Sequence, residues 1–356
     1  MTGDTGGEDG RGDGGAYTYE DAGVDLDAAE ALKERLGSLV ASTRTEAVRA
    51  EFGSFGGRFR TSEPGAELVA SADGVGTKLK VAFRAGRHDT VGQDLVNHCV
   101  NDLLAEGAVP LVFLDYVATG ELEDETVHDV VAGIARACRE NGCALLGGET
   151  AEMPGFYPGG EYDLVGFVVG EVAFPEIGTR DLRAGDRLVA LPSSGLHTNG
   201  YSFARGLLFE RAGLSVDDPF PGEAAGTVGE VLLRVHRSYL DDLAPSCRAG
   251  RIRALAHVTG GGIPGNLGRV LPDSLDAVVD VDSWEPPAEF RWLWDESGAP
   301  RDEIYRTLNM GVGMIAVVRE DEAPAVVDAL EERGAGAFVC GRLAEGDGSV
   351  RLAGRD

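Results

Sequence analysis

The stretch VGQDLVNHCVNDLLAEGAVP, from Val91 to Pro110, constrains the fold more than any other. Leu95, Val96, Cys99, Val100 and Leu103 form an apolar stripe at helical spacing, so this segment is expected to be a helix against a core. Opposite the stripe the helix wheel groups Asp94, Asn97, His98, Asn101 and Asp102. A solvated helix face would also be polar. Asn101 and Asp102, however, are poor helix formers lying beside the stripe, and that propensity cost favours a functional role. Gly107 and Pro110 suit the end of the helix.

The surroundings read as alternating strands and helices. ELVASA, LVFLDYVA, CALLGG and YDLVGFVVGEV suit strands in the first half. Helices are expected over Leu26 to Leu39 and, capped by Asp124 and stopped by Gly142, along Val127, Val130, Val131, Ile134 and Cys138. After the connector FPEIGTRDLRAGD come strands at DRLVALP, ALAHV, DAVVDV, VGMIAVV and AFVCGRL. Helices are expected from about Tyr201 to Ala212, Thr227 to Arg237 and Glu322 to Arg333. The class is therefore α/β or α+β, with a single cut near residues 173–182. Residues 1–16, Gly/Asp-rich and without the apolar core of a signal peptide, read as a disordered acidic tail. Domains are expected at 17–175 and 176–356.

Composition narrows the function. The chain of 356 residues carries 60 acidic against 32 basic residues, a net charge of −28, and its only lysines are Lys33, Lys78 and Lys80. A dense carboxylate surface suits a saline cytoplasm, where salt screens self-repulsion, with a moderately acidic mesophilic protein as the bland alternative. A nucleic-acid partner is not expected, since no basic stripe is there to neutralise phosphates. Five scattered cysteines without a CxxC pair read as free cytosolic thiols rather than a zinc site. No apolar run approaches the roughly 20 residues that span a bilayer, so a cytoplasmic location without a membrane partner is expected.

Four loops carry the candidate chemistry. SADGVGTK, Ser71 to Lys78, resembles a phosphate loop but fails the Walker A order: Thr77 precedes Lys78, and LKVAF reads on like a strand. Glycine turns between strands are common; Asp73 favours function, as a strand-end carboxylate that suits magnesium. GGETAEMPGFYPGGEYD places Glu149 after two glycines in a loop longer than a connection needs, with a solvated surface loop as the bland alternative. SSGLHTNGYS follows a strand and opens a helix, which suits an anion; His197 is a candidate anion ligand or proton carrier, and a cap by Thr198 or Asn199 explains part of the pattern. AHVTGGGIPGN repeats that logic, with His257 equally readable as a core histidine. An acidic cluster in one half and two phosphate-type turns in the other suggest a nucleotide with metal facing a phosphorylated substrate.

SADGVGTKLK, RHDTVGQDLVNHCVNDLLAEGAVPLVFLDY, GGETAEMPGFY, SSGLHTNGYS, AHVTGGG and YRTLNMGVGM, taken in order with DAGVD, closely resemble the aminoimidazole ribonucleotide synthetase (phosphoribosylformylglycinamidine cyclo-ligase) family. The resemblance runs from near Tyr19 to near Cys340. It implies a two-domain fold whose N-terminal domains pair into a barrel-like core in a homodimer, with a C-terminal α/β domain. It also implies ATP-driven closure of formylglycinamidine ribonucleotide to aminoimidazole ribonucleotide through an iminophosphate, with magnesium and an open question over potassium. By resemblance, Asp73, Asp102 and Glu149 would hold magnesium, and Asp102, Glu149, His197 and His257 would serve catalysis. ATP would meet Asp73, Gly74, Gly76, Thr77, Lys78, Asn101 and the glycine loop at Gly56. The ribonucleotide would meet Ser194, Gly195, His197, Asn199, Thr259, Gly260, Gly261 and Gly262. The segment before the glycine loop departs from many relatives in having Arg44 and Arg49 as its main cations. Related phosphotransferases, such as thiamine-phosphate kinase and selenophosphate synthetase, lack the GGETAEMPGFYPG loop in this form. A nucleotide-binding maturation scaffold would be expected to carry a modifiable tail, whereas this chain ends SVRLAGRD.

Overall fold

The computed structural model describes residues 16–22, 27, 42, 45–49, 54–61, 66–179 and 181–354. The tail at residues 1–15 and the helix expected over Leu26 to Leu39, apart from position 27, lie outside the described residues.

Two sheets organise the chain. The first has the order β1-β2-β5-β3-β4, with β1 Gly57–Arg60, β2 Glu67–Gly74, β3 Ala108–Thr119, β4 Ala144–Glu152 and β5 Tyr162–Val172. Only the β3–β4 pair in it is parallel. The second has the order β11-β8-β10-β6-β9-β7, with β6 Arg187–Pro192, β7 Ile252–His257, β8 Leu275–Asp280, β9 Val312–Val318, β10 Phe338–Glu345 and β11 Val350–Ala353. Largely antiparallel sheets with helices laid against them make this the α+β form of the expected class.

The helix read from the opening motif, Asp89–Ala105, is the centre of the molecule. Its residues from Thr90 to Ala105 are all buried. One side packs on β2, β3 and β5 and on the Asp124–Glu140 helix, the other reaches β7 and the Leu240–Arg248 helix of the second half. Each fully buried Leu or Val of its stripe is worth about 1.5–3 kcal/mol. The Asp89–Ala105 and Asp124–Glu140 helices cross closely because Gly92 and Gly133 lack side chains: a Cβ on Gly92 would lie 2.1 Å from the Val130 carbonyl oxygen.

Several expectations need correction. LKVAF is not a strand: Gly76–Lys78 is a 3-10 turn leading into the helix Leu79–Ala85, which Gly86 ends in the left-handed region at φ 57°. Five apolar-rich residues do not separate strand from helix by period alone. The Walker A match still fails, but on residue order only. Asp124 is not a cap; it lies in the first turn after Glu123, which makes no side-chain cap bond. The expected Thr227 to Arg237 helix stops at Leu232, although Thr227 and Glu230 form the capping box its sequence promises. β4 runs on through Glu152, so GGETAE is strand rather than loop.

Candidate active site

The seam between the two halves is built from the polar side of the Asp89–Ala105 helix. The segment Arg234 to Tyr239, released where the Val228–Leu232 helix ends, lies across that side and is held through its backbone. The His236 amide donates to Asp94 Oδ1 at 2.7 Å, and Asn97 Nδ2 donates to the His236 carbonyl at 2.7 Å. Asn101 donates to the Arg237 carbonyl at 2.8 Å and accepts from the Tyr239 amide at 2.9 Å. Lys78, with no exposed surface, pairs with Asp94 at 2.7 Å and donates to the carbonyls of His197 (3.1 Å) and Arg234 (2.7 Å). Burial pushes the Lys78 ammonium down and the Asp94 carboxyl up, each opposed by the partner's charge.

Four of the six histidines of the chain gather beside this seam. His98 Nε2 lies 2.7 Å from Asp73 Oδ2 and 3.8 Å from Asp102 Oδ2, and its Nδ1 is 2.7 Å from Thr198 Oγ1. Burial alone would lower the His98 imidazole. The hydrogen bond to Asp73 and the charges of Asp73, Asp102 and Asp94 outweigh it, raising the group to about 9, so it is a cation at neutral pH. His257 Nδ1 meets Asp102 Oδ1 at 2.8 Å, and its Nε2 meets His236 Nε2 at 3.1 Å. His197 stacks on His236 with ring centroids 3.9 Å apart. Burial and neighbouring positive charge hold His197 and His236 well below the ordinary histidine value, and burial also lowers His257. These three are neutral rings, linked to one another at His236 Nε2 and His257 Nε2, while His197 Nε2 accepts from the Ser194 amide at 3.1 Å.

A cavity of about 320 Å³ opens next to this cluster, lined by Asp73, Gly74, Gly76, His98, Asp102, Thr198, Asn199, Thr259, Gly260 and Arg269. Seven of the residues singled out in the sequence line it: Asp73, Gly74, Gly76 and Asp102 from the first half, and Asn199, Thr259 and Gly260 from the second. The second-half wall is held by Asn266, whose buried amide donates to the carbonyls of Gly260 (3.2 Å) and Gly262 (2.8 Å) and whose Oδ1 accepts from Thr259 Oγ1 (3.1 Å).

Other expected site residues lie elsewhere. Lys78 and Asn101 are structural cross-links of the seam and present nothing to a nucleotide. His197 and His257 stand behind the cavity wall. Thr77 bonds Ser202 across the rim at 3.0 Å, and Ser194 is tied to the Val235 carbonyl at 2.5 Å. Gly195 accepts from Asn309 at 2.9 Å. Gly261 and Gly262 supply the left-handed turn (φ 88° and 61°), and a Cβ on Gly262 would lie 1.8 Å from the Tyr305 oxygen. Gly56 packs under Val69, where a Cβ would be 2.8 Å from that side chain.

Glu149 is the largest departure. Across the first sheet Asp73 registers with Gly166, Asp115 and Gly148, whereas Glu149 registers with Tyr116, Val165 and Gly74. Side chains alternate faces along a strand, so the two acids point to opposite faces. A Cβ on Gly166 would touch Leu95 and Cys99 of the central helix, which puts Asp73 on the helix side and Glu149 on the open one. Within one chain they form no common shell. For a hard cation, the oxygen of Asp73 at the cavity edge is a fitting donor. Asp102 is already engaged by His257, by Ser71 at 3.4 Å and by the imidazolium of His98.

Four further residues belong to the site: His98 and Thr198, which lie inside motifs already singled out, and Arg269 and His236, which lie outside them. Arg269 follows the glycine turn by one short helix, a usable signal. RVHRSY offers none, because His236 reaches the seam from an irregular segment.

Known proteins bear on this geometry. Residues 56–172 match the family model described as AIR synthase related protein, N-terminal domain, and residues 183–353 match the AIR synthase related protein, C-terminal domain. A phosphoribosylformylglycinamidine cyclo-ligase of Anaeromyxobacter sp. (strain Fw109-5) is 48% identical over 341 residues, covering 94% of this chain and 98% of the relative. Its counterpart from Alkaliphilus metalliredigens (strain QYMF) is 44% identical over 339 residues, covering 94% and 97%. Among solved structures, AaThiL complexed with AMPPCP and TMP has the same fold, with a TM-score of 0.63 at 16% identity over 91% of this chain and 95% of that one. With both halves matched and nearly half of all positions identical over almost the whole length, this chain belongs to the phosphoribosylformylglycinamidine cyclo-ligase family.

Proposed function

We propose that the cavity between the two halves is the active site of an ATP-dependent cyclo-ligase, a ligase of purine biosynthesis that closes formylglycinamidine ribonucleotide to aminoimidazole ribonucleotide with release of ADP and phosphate. The observation that carries the placement is the meeting, around one cavity, of Asp73, Gly74 and Asp102 with Asn199, Thr259 and Gly260. The first set suits a nucleotide with its counter-cation, the second a ribonucleotide.

The amide oxygen of the substrate is a poor leaving group. Transfer of the γ-phosphoryl group onto it makes an iminophosphate, and attack by the amidine nitrogen on that carbon then expels phosphate. Such chemistry asks for alignment and charge compensation more than a protein nucleophile. Asp73 is the residue that would hold a magnesium ion, which supplies charge neutralisation to the phosphates. The His98 imidazolium compensates Asp73 and Asp102. Asp102 faces the cavity with its orientation fixed by His257, which in turn is held by His236. It is the group placed to take the proton that the attacking nitrogen loses.

A second copy of the chain belongs to this reading. The open face of the first sheet carries Tyr116, Val165 and Phe167, with Leu146 beside them on β4, each more than a third exposed. A contiguous apolar face of this kind suits burial against its own copy. Glu149 lies on that face and so belongs to the junction between copies.

The test is ADP release measured with and without formylglycinamidine ribonucleotide, alongside detection of the imidazole product. Substrate-dependent ADP with product is expected, and Asp102→Asn is expected to lower kcat by about 100-fold or more as a lost acid–base group. Absence of substrate-dependent ADP, or full activity of Asp102→Asn, contradicts the assignment.

A further inference from the structure

We infer that Arg269 grips the phosphate of the ribonucleotide substrate and so sets the preference of the enzyme for a phosphorylated over a dephosphorylated ligand; this rests on the cyclo-ligase reading of the cavity.

In a chain whose carboxylates outnumber its cations nearly two to one, arginines find acids readily; Arg58, Arg237, Arg319 and Arg351 each hold one. Arg269 lines the cavity together with Asp73 and Asp102, yet among the described residues it pairs with neither, nor with any other acid. It is the one guanidinium or ammonium group among the described lining residues.

Its position is built rather than incidental. Asn266 pins the Thr259–Gly262 turn, and the helix Gly262–Gly268 carries the chain one turn further to Arg269. Residues three apart on a helix share a face, so the residue that fixes the turn and the residue that offers the charge point the same way. Across the seam, the buried ring of Phe55 lies 5.0 Å from the guanidinium carbon. Stacking on an aromatic face takes up the flat side of a guanidinium and leaves its in-plane N–H donors free, the arrangement that suits bidentate recognition of phosphate.

Charge then orients the substrate. A phosphate that brings no counter-cation is repelled by the Asp73 and Asp102 carboxylates, so that of the ribonucleotide settles at Arg269 and the reacting amide is directed to the acidic end. The glycine-walled turn beside Arg269 leaves room for close backbone approach. Because Phe55 belongs to the glycine-rich segment of the first half, the stack also ties that segment to the occupied phosphate site.

The phosphate recognised has two candidate sources, the 5′-phosphate of the ribonucleotide and the γ-phosphoryl group of ATP, and steady-state kinetics separates them. Wild-type enzyme, Arg269→Gln and Arg269→Lys are assayed with formylglycinamidine ribonucleotide, with its 5′-dephosphorylated riboside, and with ATP varied at saturating ribonucleotide. Arg269→Gln is expected to raise KM for the ribonucleotide about 100-fold, leave kcat/KM for the riboside unchanged, and keep KM for ATP within about twofold, as loss of a charge-assisted bidentate contact implies. Arg269→Lys is expected to recover part of the loss, and Phe55→Leu to show a smaller loss of the same kind. Unchanged kinetics in Arg269→Gln, an equal loss on both substrates, or a rise confined to KM for ATP overturns the inference. A wild-type enzyme without activity on the ribonucleotide overturns instead the reading on which the inference stands.

Discussion

The seam and the open face of the first sheet invert the usual arrangement, and they do so on opposite sides of one layer. At the seam, Asp94, Asn97, Asn101 and Lys78 are buried. On the open face, Phe167 is 42% exposed and Leu146 66%. Burying polar groups costs free energy unless each finds a partner. At the seam many of the partners are backbone groups of one segment, Arg234 to Tyr239, joined by the Asn141 amide, which donates to Asn97 at 2.8 Å, and by the His197 carbonyl, so the polar stripe of the helix works as a template for that segment. The open face offers the converse: apolar area left exposed among the described residues. One region is specified by complementary hydrogen bonds within the molecule; the other is the surface on which the proposed second copy would pack.

The sharpest way to break the comparison is to remove half of the Lys78–Asp94 pair. Lys78→Ala leaves a buried carboxylate without its counter-charge and orphans two carbonyls. Loss of about 3–5 kcal/mol is expected, as for other broken buried ion pairs, measured by urea unfolding. Lys78→Met combined with Asp94→Leu is expected to recover part of that loss, because an uncharged pair no longer pays for desolvation. A single variant within about 0.5 kcal/mol of wild type would show that the seam is not held by this pair.

The seam also carries a pH signature, measured in chelator so that no divalent ion competes for Asp73. His98 moves from an ordinary value near 6.5 to about 9 on folding, so folding takes up a proton there. That contribution, at most about 3 kcal/mol, is complete below pH 6.5 and is lost as pH rises through about 9. His197 and His236 run the other way. Their folded values lie below the ordinary one, so stability is lost as pH falls beneath 6.5 and the unfolded chain takes up protons that the folded one does not. The His98 contribution already declines between pH 6.5 and 9, so unfolding free energy is expected to peak near pH 6.5 and to fall on either side. His236→Gln is expected to make the acid limb shallower, with His197 and His257 keeping the rest, and to leave the alkaline limb; an acid limb of unchanged slope in that variant would remove His236 from the account.

This contrast also explains what the sequence made legible. The apolar stripe of the central helix announced itself by its period, as did most strands, because their burial depends on residues close in sequence. The acid-glycine loop, Asn199 and the Thr259–Gly260 turn were found because strained or glycine-rich turns beside strand ends leave a local mark. The partners of the polar stripe left none: Asp94 and Asn101 are satisfied by residues more than 130 positions away, at Arg234 to Tyr239. Lys78 looked like a phosphate ligand because a lysine beside glycines reads that way locally, while its counter-ion was hidden in the next helix. Sequence alone groups Glu149 with Asp73 because strand parity cannot be read until register is known: one residue of offset moves a side chain through the sheet.

The smallest effect on stability is expected where the sequence looks most hydrophobic. Phe167 registers with Ala72 and Leu114 on the open face, and its ring loses little apolar contact within its own chain when replaced. Phe167→Glu is therefore expected to leave the unfolding free energy, measured at a concentration where the protein is monomeric, within about 0.5 kcal/mol of wild type, as for other exposed substitutions. Its consequence should appear in association. A carboxylate placed at the centre of an apolar junction is buried without a partner there, so sedimentation equilibrium should show dimer in the wild type and monomer in the variant at the same concentration. If the face is simply solvated, wild type and variant will sediment alike. The same experiment bears on Glu149, which lies one residue out of step with Asp73 and reaches no acid of its own chain's cavity. Should activity fall together with dimer content across a dilution series of wild-type enzyme, the open face would be part of the catalytic unit. The two inverted regions would then be two halves of one design, a seam closed by the chain itself and a face closed by its copy.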